Sequence, residues 1–189
     1  ILPVQLLWIN LVAAVSLALP LAFEAKEPGI MLRPPRPPSE SVLSPFVVGR
    51  TLLVALLMAA TAIGLFQFEY SRDLAAGGAP NLALSEAQTM AVFSIIMFQV
   101  FYMLNCRSLT GSVFAIGLFS NPTVFLGVVV LLALQFALVF LPVLNSVFGT
   151  SPLTVSDLGL ATLVSMSILP VIVLEKWWRA RTLGRFRAS

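Results

Sequence analysis

The chain has 189 residues, of which 59% are hydrophobic and 10% charged, with a formal net charge of +3. A soluble domain carries roughly 25% charged residues, so this composition excludes one and points to an integral membrane protein. A single cysteine, Cys106, and the absence of histidine exclude an intramolecular disulfide and a His/Cys zinc site, and leave Cys106 as a small apolar packing residue.

The apolar residues fall in runs of about 20, the length an α-helix needs to cross a hydrocarbon core of roughly 30 Å. Strands of a membrane barrel are about half that length and alternate strictly, which these runs do not. The expected fold is all-α: a polytopic membrane bundle of about five transmembrane helices, spanning 2–23, 46–68, 87–105, 122–144 and 158–178. The first run lacks a basic flank and a small-residue cleavage site, and the chain begins with Ile1. A piece of a longer polypeptide is expected, although an artificial boundary would look the same.

The first span, PVQLLWINLVAAVSLALPLAFE, places Asn10 in its middle and Ala13, Ala14 and Leu17 on the same helical face. Pro20 cannot donate to the Ser16 carbonyl and should bend or loosen that turn. The loop 24–45 follows, with six of the thirteen prolines. Its RPPRPP segment should be extended and semi-rigid, as a surface linker or as a docking segment for a cytoplasmic domain.

The third span carries Gln99 and the fourth Gln135. The last ends in Trp177 and Trp178 beside Lys176 and Arg179, the composition of an interfacial anchor, and continues into a basic tail over 179–189. Arg72 is the one basic residue expected beyond the far ends of the helices. The other ten of the eleven flank the first and third loops and the tail, and the positive-inside rule makes that side, with the C-terminus, cytoplasmic. Anionic lipid headgroups are sufficient partners for these charges, and no nucleic-acid partner is expected.

No Asp, Glu, Lys or Arg lies in the middle of a span, so Asn10, Gln99 and Gln135 are the polar groups to explain. Each amide oxygen can coordinate a hard cation, less strongly than a carboxylate. Each can equally make an interhelical hydrogen bond beside small residues. Both readings stand for Asn10 and Gln99; Gln135 is read as a link between helices.

PVQLLWINLV, then LAFE and EPGIMLRPPR, resembles the sixth transmembrane helix and following cytoplasmic loop of the P-type cation-transporting ATPases of the calcium, sodium and proton pump branch. AQTMAVFSIIMFQVFYMLNCRS with SVFAIGLFSNP resembles their eighth helix and its next loop. The last two spans match by position and hydropathy. The resemblance implies that the chain supplies helices six to ten of a ten-helix pump in a cell membrane.

 It also implies a transported cation, ATP and Mg as the needs of the full-length protein, and preceding helices and cytoplasmic domains as partners.

In that family the sixth helix carries an Asn followed after two residues by Thr-Asp, whose oxygens bind the transported cation. The resemblance implies that Asn10 is a metal ligand, with Ala13 and Ala14 in place of the Thr and Asp. Gln99 falls where calcium pumps of animal reticulum have a Glu ligand in the eighth helix. Losing the Asp removes a full negative charge, so a dehydrated divalent ion would need carboxylates from other helices. A monovalent ion, a proton or a pump that no longer transports are the alternatives. The DKTG and TGE motifs of the family do not occur in these residues, so neither catalytic residues nor a bound cofactor are expected within this chain. The rival class is a stand-alone helical membrane scaffold or non-enzymatic subunit.

Overall fold

The computed structural model describes residues 1–23, 45–106 and 121–186, and every regular element among them is a helix. The expectations for RPPRPP, for Arg107 and for the last residues of the tail lie outside the described residues. Helix α1 runs from Pro3 to Leu21, α2 from Pro45 to Ala75, α3 from Pro80 to Cys106 and α4 from Pro122 to Phe140. A short α5 covers Pro142–Phe148, and the last crossing is divided into α6, Val155–Ser165, and α7, Ile168–Phe186. Five stretches are long and apolar enough to cross a membrane: α1, α2, α3, α4 and the α6–α7 pair.

The helices depart from the apolar runs where backbone chemistry intervenes. The fourth helix stops at Phe140 because Pro142 drives Leu141 into an extended conformation (φ −84°, ψ 118°). Pro142 also has no N–H for the Leu138 carbonyl, and the Thr150 hydroxyl donates to that oxygen instead at 3.0 Å. Pro170 similarly follows the break at Met166–Ser167 between α6 and α7. By contrast, α2 continues past its apolar run to Ala75, where Gly77 at φ +82° turns the chain into α3.

Helix α3 is the centre of the bundle. Two-thirds (67%) of its most apolar stretch is buried, against 17–33% for the other four. It contributes to three apolar clusters. Val92, Ile96 and Val100 pack with Ile9 and Val12 of α1 and Val124 and Leu131 of α4. Met90, Phe93 and Met97 meet Leu65 of α2 and Ala161 of α6. Phe98 meets Val54 of α2 and Ile168 and Ile172 of α7. The outward faces keep large exposed apolar residues such as Leu7, Leu56, Val143 and Leu163, as expected where hydrocarbon or further helices replace water.

Polar links fix the helices in depth. The Ser165 hydroxyl donates to the Ser94 carbonyl at 3.0 Å in the bundle interior. Near the start of α3, the Ser151 N–H donates to Thr89 Oγ1 at 2.9 Å and the Ser85 hydroxyl donates to the Gly149 carbonyl at 3.0 Å. At the opposite end Arg50 Nη2 of α2 pairs with Glu175 Oε2 of α7 at 2.6 Å.

Candidate cation site

Helix α1 is not a uniform α-helix. Its middle turn, Ala14–Ala18, is π-helical, and the Leu19 N–H donates to the Ala14 carbonyl five residues back. The cause lies in Pro20, which can donate neither to Ser16, four residues back, nor to Val15, five back. Widened turns of this kind concentrate at functional sites. The expected loosening at Pro20 therefore takes the form of a widened turn on its N-terminal side.

Two faces meet beside that turn. Asn10, Ala13, Ala14, Leu17, Ala18 and Leu21 of α1 face Gln99, Tyr102, Met103 and Cys106 of α3 across an open groove of about 340 Å³. Helical spacing accounts for both sets, since each repeats at three or four residues. The structure thus brings together Asn10 and Gln99, 89 positions apart in sequence, along with both alanines. Asn10 is exposed to the groove side, and Gln99 is half-buried with its Oε1 buried and lacking a hydrogen-bond partner among the described residues.

The chemistry of this groove is that of neutral oxygens. Among the described residues it holds two amide side chains, the Tyr102 hydroxyl and the Cys106 thiol, and no carboxylate. Such a set can replace part of the hydration shell of a cation but cannot balance a divalent charge. Cys106, expected only to pack, lies on the groove wall.

Gln135 is elsewhere. It is fully buried, and its Oε1 accepts from Trp8 Nε1 of α1 at 3.3 Å. That contact joins α1 to α4, as an interhelical link requires. A second buried amide was not singled out from the sequence: Gln5 accepts from the Leu2 N–H at 2.9 Å and donates from Nε2 to the Phe148 carbonyl at 3.0 Å. Its position near the start of an apolar run gave no indication of a partner 143 residues away.

The sequence pattern of the family described as "Cation transporting ATPase, C-terminus" matches residues 1–178. Over 155 residues the chain is 45% identical to a "Probable cation-transporting ATPase F" of Mycobacterium bovis, covering 82% of this chain and 16% of that protein. It is 32% identical over 181 residues to a "Calcium-transporting ATPase 1" of Bacillus cereus, covering 92% of this chain and 20% of that protein. To a "Calcium-transporting ATPase type 2C member 2" of Mus musculus it is 32% identical over 186 residues, covering 98% of this chain and 19% of that protein. The chain spans about a fifth or less of the length of these relatives. By the extent of these matches and by its five apolar helices, the chain belongs to the C-terminal membrane region of the cation-transporting ATPases.

Proposed function

We propose that the chain is the membrane-embedded C-terminal part of an ATP-driven cation pump, and that the groove between α1 and α3 forms one wall of its transport site. The observation that carries this reading is the convergence of Asn10 and the unpartnered Gln99 Oε1 at the π-helical turn of α1. In this reading Asn10 and Gln99 are the ligands for the transported cation. Their oxygens supply coordination, while any carboxylates come from other parts of the full-length protein.

ATP and Mg act in the rest of that protein. The membrane is a cell membrane, and the end bearing Arg50, Lys176 and the tail faces the cytoplasm and its anionic lipids. Residues near Gly77 should then be labelled from outside intact cells, and residues near Pro37 should not.

The test is ion-stimulated ATPase activity of the full-length protein, titrated with calcium, sodium, potassium and protons and normalised to folded protein. Asn10→Leu and Gln99→Leu should each weaken the apparent affinity for the stimulating ion about tenfold, the loss of roughly 1.4 kcal/mol of coordination. Unchanged ion dependence in both variants would remove the groove from the transport path.

A further inference from the structure

A second cluster of oxygens lies at the other end of α3. Glu69, Arg72 and Asp73 occupy the last turns of α2 at i, i+3 and i+4, on one helical face. Glu86 comes from the second turn of α3, after the turn at Gly77 and Gly78, and Asp157 from the first turn of α6. Arg72 reaches three of these four acids: Nη1 donates to Asp157 Oδ1 at 2.6 Å, Nη2 donates to Glu69 Oε1, and Asp73 Oδ1 lies 3.5 Å from Nη2. No other Lys or Arg occurs between Arg50 and Arg107 or between Pro122 and Glu175. One guanidinium therefore faces four carboxylates.

The residual oxygens are the telling ones. The Glu69 side chain is 1% exposed, and its Oε2 is buried with no hydrogen-bond partner among the described residues; Asp73 Oδ2 is in the same condition. Glu69, Asp73 and Glu86 each present an oxygen, and these three atoms lie within 4.8 Å of one another. Burial of like charges at this separation is costly unless a cation or protons intervene. Beside them, Asp73, Gly77, Gly78 and Glu86 line a cavity of about 240 Å³, enough for several waters.

We propose that Glu69, Asp73 and Glu86 form a second cation site, for a hard divalent cation, separate from the α1–α3 groove. Oxygens bound to one calcium at about 2.4 Å can lie no more than about 4.8 Å apart, and these three atoms fall within that limit. Magnesium holds several of its waters and is bound through fewer carboxylates. The all-oxygen donor set disfavours soft metals. Waters in the adjoining cavity complete the coordination. Glu86 and Gln99 are thirteen residues apart on the same helix, about 20 Å, so one ion cannot serve both places. A bound ion here joins the ends of α2 and α3 and offsets the charge that Arg72 leaves unbalanced.

Manganese binding to the purified full-length protein, followed by electron paramagnetic resonance with calcium as competitor, tests the site. The double variant Asp73→Asn/Glu86→Gln should bind one fewer Mn²⁺ per chain than the parent, and Glu86→Gln alone should weaken that site at least tenfold. Added Mn²⁺ or Ca²⁺ should raise the thermal midpoint of the parent more than that of either variant. Glu86 is half-buried, so its single substitution keeps the test open if the double variant does not fold. Asn10→Leu should leave this Mn²⁺ in place, which separates failure of the groove reading from failure of this one. Equal Mn²⁺ stoichiometry and affinity in parent and Glu86→Gln would overturn the site and assign the cluster to shared protons, as would loss of the same ion in Asn10→Leu.

Discussion

Gly127 of α4 lies so close to Ser16 of α1 that a β-carbon on it would stand 2.1 Å from the Ser16 carbonyl oxygen and 2.8 Å from Pro20 Cγ. The two helices meet backbone to backbone at the widened turn, an approach that only glycine permits. The same turn presents Ala14 and Ala18 to the groove and Ser16 to α4. The position of Asn10 therefore depends on a contact on the opposite side of its own helix.

Gly127→Ala should push α1 away from α4 and destabilise the folded protein by about 1–3 kcal/mol, the usual cost of overpacking. Thermal unfolding in detergent measures the loss. Because α1 also carries Asn10, apparent ion affinity should fall in the surviving protein. A variant as stable as the parent would mean that the two helices separate freely.

Ala14→Asp places a carboxylate one helical turn from Asn10, on the groove wall. The full-length protein should then bind a divalent cation at least tenfold more tightly, about 1.4 kcal/mol, whereas the uncharged Ala14→Asn should change affinity much less. Ion titrations of ATPase activity compare the two. Destabilisation by Asp without any change in ion dependence would show a buried charge with no cation to share.

Arg50 and Glu175 hold α2 against α7 with side chains 8% and 17% exposed. Glu175→Gln should cost about 3 kcal/mol, because a largely buried guanidinium loses this carboxylate. The double variant Arg50→Met/Glu175→Leu should cost less than the sum of its single changes, with a coupling of about 1–3 kcal/mol in thermal or denaturant unfolding. Additive losses would show that the pair contributes little to joining the helices.

Hydropathy alone determined that the chain is helical, that it enters the membrane and that about five segments cross it, because transfer from water to hydrocarbon depends on local composition. The same reasoning set the order of the helices and marked Asn10, Gln99 and Gln135 as costly polar groups. It could not say what they face. Gln99 and Gln135 both lie within apolar runs, yet Gln99 lines a groove with its oxygen buried and unpartnered among the described residues, whereas the oxygen of Gln135 accepts from Trp8.

That difference is set by helix rotation and relative depth, which follow from packing around α3 and from close contacts such as Gly127 with Ser16. Pro20 was legible as a perturbation; that it takes the form of a π-helical turn was not. Glu69, Asp73 and Glu86 read separately as polar residues near loops. Their convergence depends on α2 continuing as helix past Phe68 and folding back through Gly77. Local composition fixes which segments leave water, whereas the meeting of side chains on different helices is decided only when their surfaces pack.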